Sequence, residues 1–130
     1  MSRARFGCIE CLPDGADEAW KAFGKSEIDA RLIDDMHFIV LVRSCLSCGQ
    51  RFVSVFTETI DWEHGEDPCF RTVLPITEQE ALMLRASDSQ VVESLLYGLD
   101  SNRQSLCRDW PKDAEATNFW SRGIKPHPHD

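Results

Sequence analysis

Two short cysteine motifs constrain this chain more than any other feature of its sequence. Cys8 and Cys11 are separated by two residues, and Cys45 and Cys48 repeat that spacing. One tight turn can aim both sulfurs of such a motif at one point, so two turns together can present four thiolates to one metal ion. Four cysteines in a tetrahedral arrangement are the ligands of a closed structural zinc site. The sequence therefore predicts one structural Zn²⁺ per chain, bound by Cys8, Cys11, Cys45 and Cys48.

The competing interpretation of the same motifs is a redox-active dithiol. A reactive CxxC pair needs a lowered thiol pKa, which usually comes from a helix N-terminus or from nearby cations. Glu10 lies inside the first motif, Pro13 delays any following helix, and the second motif leads into a predicted strand. These surroundings favour the zinc site and leave a thiol–disulfide redox protein as an alternative.

Length and composition predict one domain over residues 1–130, with enough apolar residues for a core. The start of the chain has no apolar stretch typical of a secretion signal, and no segment approaches transmembrane length, so the expected location is the cytoplasm. Thiols stay reduced there, so the six cysteines are interpreted as four metal ligands and two further residues that bind no metal, and not as a set of disulfides. Cys69 and Cys107 have no partner at ligand spacing and are predicted to be small buried side chains.

The net charge limits the classes of partner. The formal charge is −8, and four thiolates around one Zn²⁺ make it two units more negative. Such a chain repels a phosphate backbone unless its basic residues gather on one face, and its arginines are scattered along the sequence. We therefore expect a protein partner rather than nucleic acid, and no membrane.

The clearest secondary structure is a β-hairpin around the second cysteine motif. Residues 36–44 form an apolar, β-branched run, and residues 51–60 form a second one. The turn between them contains Cys45 and Cys48. The fold class expected is α+β, with an antiparallel sheet centred on a hairpin at about residues 36–60 and two or three helices packed on one side.

The remaining elements follow from hydrophobic spacing, caps and breakers. Ile28, Leu32 and Ile33 lie at helical spacing after Ser26, so residues 25–35 are predicted to be a helix. Thr77 and Glu80 form a capping box that predicts a helix start. The other predictions are helices at 16–23, at 77–85 and from Ser87 or Asp88 onward, strands at 70–74 and 106–110, and a tail at 126–130.

The second motif carries a further signal, because Gly49 directly follows Cys48 and glycine readily adopts a positive φ at the end of such a turn. With its four cysteines and this glycine, the chain resembles the zinc-ribbon superfamily over both turns and the hairpin. In the first motif, Leu12 and Pro13 follow Cys11 where a glycine would be usual. The resemblance implies nucleic-acid binding as the first alternative function, ahead of the redox protein, because many zinc ribbons bind nucleic acid.

The function expected from the sequence is that of a non-catalytic, zinc-stabilised protein-interaction module. A site with four protein ligands has no open position for substrate, and no nucleophile–base pair stands out, so an enzyme is not expected. The acidic segment 58–67 is interpreted as solvated surface, with a cation-binding or acid–base site as its alternative. His37 and the tail residues His127, His129 and Asp130 are interpreted as structural or surface features. The aromatic residues expected either in the core or as contact anchors are Trp62, Trp110, Phe119 and Trp120.

Overall fold

A computed structural model describes residues 6–58, 68–99, 102–111 and 114–124 of the chain. The described residues form an α+β fold in which an antiparallel sheet of six strands carries three helices. Its strands follow one another in sequence order, each paired with the next. The helices are α1 (Ala16–Gly24), α2 (Glu78–Arg85) and α3 (Ser89–Gly98). The strands are β1 (Glu27–Asp35), β2 (Phe38–Ser44), β3 (Arg51–Glu58), β4 (Cys69–Ile76), β5 (Gln104–Trp110) and β6 (Thr117–Arg122).

The hairpin around the second cysteine motif is present as β2 and β3. The two strands pair in continuous antiparallel register from Phe38 opposite Thr57 to Ser44 opposite Arg51. The four valines of these strands, Val40, Val42, Val53 and Val55, are fully buried, as expected for strands in the middle of a covered sheet. Residues 59–67, which complete the predicted strand and the acidic segment, lie outside the described residues, as does the tail at 126–130.

The helix predicted at 25–35 is wrong, because this segment is strand β1. Its pairing with β2 shifts register between Ile28 and Ala30 and again between Arg31 and Ile33. Each irregularity breaks the period of two that marks a strand, and so places apolar residues three or four positions apart. The apparent helical spacing is therefore a product of two β-bulges.

The sheet buries a different set of side chains on each face. Adjacent residues of a strand point to opposite faces, so Val53 belongs to one face and Phe52 to the other. Helices α2 and α3 cover the first face and enclose the larger core, which consists of Val40, Val42, Val53, Val55, Leu74, Ile76, Ala81, Leu84, Val92 and Leu96. Helix α1 covers part of the second face with a smaller core of Ala19, Phe23, Phe52, Val73 and Leu106. The expectation that all helices lie on one side of the sheet is thus wrong for α1.

The caps of α2 and α3 follow the sequence prediction. The Glu80 backbone N–H donates to the Thr77 hydroxyl at 3.1 Å, and the Glu80 carboxylate accepts from the Thr77 N–H at 2.8 Å. At the start of α3, the Asp88 carboxylate accepts from the Val91 N–H at 3.0 Å. The capping box is confirmed, and it fixes the point where the chain leaves the sheet. None of the three described helices combines the length and apolar character that crossing a membrane requires.

Helix α1 is also fastened to β6, a strand that the sequence did not predict. The Asn118 amide donates to the Asp17 carboxylate at 2.9 Å, and the Trp120 indole N–H donates to the Asp14 carbonyl at 2.9 Å. Phe119, on the opposite face, is 37% exposed, whereas Trp110 and Trp120 are half-buried. Trp62 lies outside the described residues.

Candidate metal centre

The two cysteine motifs meet in space. The sulfur of Cys8 lies 3.7 Å from that of Cys11 and 3.9 Å from that of Cys45. The sulfurs of Cys11 and Cys48 are 3.8 Å apart, and all four lie within 4.8 Å of one another. A regular tetrahedron with Zn–S bonds of about 2.3 Å places its sulfurs about 3.8 Å apart. A disulfide would need about 2.0 Å, so the four cysteines are free thiols around a space that can hold a metal ion.

Each motif is folded as a closed turn. In the first, the Leu12 N–H donates to the Cys8 carbonyl at 2.9 Å, and in the second the Gly49 N–H donates to the Cys45 carbonyl at 2.9 Å. The Ser47 backbone N–H donates a hydrogen bond to the Cys45 sulfur, with 3.4 Å between the nitrogen and the sulfur. Donors aimed at sulfur favour the thiolate, which is the form that binds metal. The two turns therefore resemble each other in geometry as well as in spacing.

Glycines with positive φ adjoin both turns. Gly49 has φ 78°, as expected from the sequence, and Gly7 has φ 72°. A Cβ on Gly7 would lie 2.8 Å from the Cys11 sulfur and 2.7 Å from a Leu12 methyl carbon, so a larger residue does not fit. The first turn thus has its glycine before the first cysteine instead of after the second. Sequence reasoning missed Gly7 because it looked for the glycine after Cys11.

Gln50 joins the two turns to the sheet. Its side-chain oxygen accepts from the Gly7 N–H at 2.8 Å, and its amide nitrogen donates to the Ile76 carbonyl at 2.9 Å. The same nitrogen donates to the Arg51 carbonyl at 2.7 Å, and the Gln50 carbonyl accepts from the Cys45 N–H at 2.9 Å. One side chain therefore positions the first turn relative to the second. No sequence pattern marks this residue, since its role depends on contacts that only the fold creates.

A second link joins the middles of the two motifs, where the Ser47 hydroxyl donates to the Glu10 carboxylate. The bond connects the residues between each pair of cysteines. Glu10, interpreted from the sequence only as a residue that disfavours redox chemistry, thus also holds the two turns together.

The thiols of Cys8, Cys11 and Cys48 ionise unequally. The hydrogen bond from the Cys11 backbone lowers the pKa of Cys8 to about 7. Burial raises the pKa of Cys11, with neighbouring sulfurs adding to the effect, and burial also raises the pKa of Cys48. Four thiolates do not coexist here without a positive charge among them. A bound cation supplies that charge, because coordination deprotonates a thiol.

The cysteine cluster borders a cavity of about 510 Å³ between the two turns and α1. Its floor is the smaller core, including Phe23, Phe52 and Leu106, and Leu46 lies at its edge. Lys21 and Lys25 of α1 also line it. The volume is in the range of sites that hold small molecules or an inserted side chain.

The other candidate residues are not part of the cluster. Cys107 is fully buried, as expected, and Cys69 is half-buried with its thiol 3.6 Å from a Glu58 carboxylate oxygen. The His37 ring nitrogen Nδ1 lies 2.8 Å from the other Glu58 oxygen, at the turn before β2. The remaining acidic segment and the histidines of the tail lie outside the described residues.

Comparison of the chain with protein-family models, curated proteins and solved structures finds no match in any of the three. The functional argument therefore rests on the geometry of the described residues.

Proposed function

We propose that the chain binds one structural Zn²⁺ through Cys8, Cys11, Cys45 and Cys48 and acts as a non-catalytic module that binds another protein. The observation that carries this proposal is the approach of sulfurs from two separate turns, 3.9 Å between Cys8 and Cys45 and 3.8 Å between Cys11 and Cys48. Both distances agree within about 0.1 Å with the sulfur–sulfur separation in a zinc tetrahedron.

Zinc is the metal that this ligand set favours. Tetrahedral sites of four thiolates hold zinc or iron–sulfur centres, and a single ion needs the close spacing seen here. Four protein ligands fill the coordination of zinc and leave no position for water or substrate, which supports a structural role. The turn geometry and Gly49 support a zinc-ribbon-like arrangement, with Gly7 serving the first turn.

The surface best suited to a partner lies at the tips of the two turns. Ile9 is 85% exposed and Leu46 is 71% exposed, although both are apolar. A metal between the turns would fix both side chains before binding, which lowers the entropy cost of association. The cavity beside Leu46 can receive an apolar side chain from the partner, as interface anchors require. The negative net charge favours a partner with a basic surface.

Metal analysis of the purified protein tests the first half of the proposal. We expect close to one zinc per chain and four thiols protected from titration until a strong chelator is added. Protein that contains no zinc, with all of its thiols freely titratable, would refute the metal assignment.

Binding experiments with paired variants test the second half. The double variant Ile9→Asp with Leu46→Asp should lose a partner that the wild type recovers from its native cells. Met36→Asp is the matched control, because Met36 is 82% exposed and lies at the other end of β2, in the turn between β1 and β2. If the same partner is retained by the double variant or lost by both variants, the turn tips are not its binding surface.

A further inference from the structure

Three arginines gather on the sheet face that carries α1. Arg43 extends from β2, Arg71 from β4 and Arg108 from β5, and Arg71 lies directly opposite Arg108 in the pairing of their strands. We call them the arginine cluster. They are far apart in the sequence, and the fold brings them onto one face.

Aromatic rings cover the flat faces of these guanidinium groups. The guanidinium of Arg43 lies 4.5 Å from the centre of the Phe23 ring, and that of Arg71 lies 5.8 Å from the same ring. Arg71 also lies 5.2 Å from the centre of Phe56. Because both arginines lie over Phe23, their positive charges are held close together.

The guanidinium group of the third arginine lies over the rings of two tryptophans. The guanidinium of Arg108 lies 4.9 Å from the Trp20 ring and 5.0 Å from the Trp110 ring. Trp20 stacks on Phe23 with ring centres 5.4 Å apart, so the rings form one connected wall. Stacking uses the faces of a guanidinium and leaves its edge, where the N–H groups point, for hydrogen bonds.

The edges of the three guanidinium groups are only partly used. Each donates a hydrogen bond to an uncharged acceptor, and in each the Nε atom is buried with no hydrogen-bond partner among the described residues. The acceptors are the Ser26 carbonyl at 2.7 Å from Arg43, the Ser54 hydroxyl at 2.6 Å from Arg71 and the Asn118 side-chain oxygen at 3.0 Å from Arg108. Within the described part of the chain, none of the three forms an ion pair with a carboxylate.

Two other arginines do have such partners. Arg103 donates to both oxygens of Glu80 at 2.7 and 2.9 Å, and Arg51 lies 3.2 Å from carboxylate oxygens of Asp29 and Glu78. The arginine cluster contrasts with these two residues in a chain whose net charge is −8. Neighbouring positive charges without a counter-charge destabilise a fold, so an acceptor-rich anion beside them would be favoured. Consistent with that, burial and the charge of Arg43 lower the pKa of Arg71 to about 10.

We propose that the arginine cluster is a binding site for a phosphate group, held by the edges of the guanidinium groups of Arg43, Arg71 and Arg108. The guanidinium fork matches the oxygens of phosphate, and the charge of phosphate suits three neighbouring cations. The site is separate from the cysteine cluster and does not depend on the proposed function.

Inorganic phosphate is the probe that tests this site. Addition of phosphate to the full-length protein should raise its Tm in a saturable way, by roughly 5 °C at ten times the dissociation constant. Sodium chloride at equal ionic strength should raise it much less. Tryptophan fluorescence should change over the same concentration range, because Trp20 and Trp110 contact Arg108.

Variants assign the effect to the cluster. Arg71→Met and Arg108→Met should each remove the phosphate-dependent shift in Tm and fluorescence, and Arg71→Lys should weaken binding at least tenfold, because lysine lacks the fork. Arg51→Met is the matched control and should keep the full response, since Arg51 is paired with carboxylates elsewhere.

Three results would overturn the proposal. The first is a wild-type response no larger than that to chloride, and the second is an equal response in the cluster variants. The third is binding of a single-stranded oligonucleotide without any binding of inorganic phosphate. If Arg71→Met does not fold, the chloride comparison on the wild type and the Arg108→Met variant still decide the question.

Discussion

The two faces of the sheet are built differently. The face under α2 and α3 encloses ten buried apolar residues, and the ion pairs near it join arginines to carboxylates. The face under α1 has a smaller core, an open cavity bordered by the thiols of Cys11 and Cys45, and three arginines without a carboxylate partner among the described residues. Apolar burial is the main stabilising contribution in one, whereas unmatched polar groups concentrate in the other.

This difference separates the residues that stabilise the fold, on one face of the sheet, from the residues that are available to bind ligands, on the other. A face with matched charges and fully buried apolar side chains is stable without any ligand. A face with clustered thiols and unpaired cations is stabilised when a metal or an anion binds. We therefore expect α2 and α3 to serve as the scaffold and the α1 face to carry the binding sites.

The largest effect should follow from loss of a metal ligand. Cys45→Ser removes one of four sulfurs, and structural zinc contributes about 10–16 kcal/mol in isolated zinc-finger peptides, so the variant should lose its metal and much of its stability. Cys107→Ser changes a fully buried thiol outside the cluster and should cost only about 1–3 kcal/mol. Thermal unfolding compares the two, and equal melting temperatures would contradict the metal's structural role.

Core truncation should distinguish the two faces next. Leu84 of α2 is fully buried, and Leu84→Ala should cost about 3–5 kcal/mol because it leaves a closed void. Leu106 lines the existing cavity, so Leu106→Ala should cost about 2 kcal/mol, near the lower end for such changes. Urea unfolding of both variants measures the difference. A larger loss for Leu106→Ala would show that the α1 face contributes more to the core than its size indicates.

A smaller effect is expected at Gln50. Gln50→Ala leaves the Gly7 N–H without its acceptor and removes the link to β4, so the affinity for metal should fall about 10–100-fold with unchanged stoichiometry. Competition with a chromophoric chelator measures this change. The exposed Gln104, changed to Ala in the same way, should have no effect. Unaltered affinity in Gln50→Ala would show that the cysteine turns hold their own positions.

The smallest effect concerns the ion pair on the scaffold side. Burial alone would raise the pKa of Glu80, but hydrogen bonds from Arg103 and Thr77 outweigh it, and the pKa is lowered from its usual 4.5. The ionised carboxylate therefore stabilises the fold above pH 4.5, and this contribution is lost as the pH falls through the lowered folded-state pKa.

The wild type should accordingly lose more stability on acidification below pH 4.5 than Glu80→Gln, by on the order of 1 kcal/mol. Glu78→Gln is the control, because Glu78 is 73% exposed in its own ion pair. Chemical unfolding at several pH values measures the slopes. Identical slopes for wild type and Glu80→Gln would show that this pair is not coupled to folding.

Features set by neighbours in the sequence could be predicted before the structure was known. The cysteine pairs, the hairpin around the second pair and the capping box at Thr77 each depend on residues a few positions apart. Local chemistry decides such features, so the chain alone displays them. The meeting of the two motifs also followed, because a tetrahedral ligand set requires four sulfurs at one place.

Features created by pairing between distant segments were missed. The bulges of β1 depend on its register with β2, and the link through Gln50 depends on β4 lying beside the second turn. The arginine cluster was missed for the same reason, since arginines scattered in the sequence become neighbours only across paired strands. The position of α1 on the second face of the sheet depends on β5 and β6, the strands that it contacts.

The irregular pairing of β1 has a further consequence, because β1 is an outer strand of the sheet. An outer strand exposes a row of unpaired N–H and C=O groups, to which a strand of another molecule can add. Two bulges disturb the straight edge that such addition needs, and charged residues along β1 oppose it, including Asp29, Arg31 and Asp34. The two bulges that give β1 a helical spacing of apolar residues thus also oppose aggregation of the folded protein through this edge of the sheet.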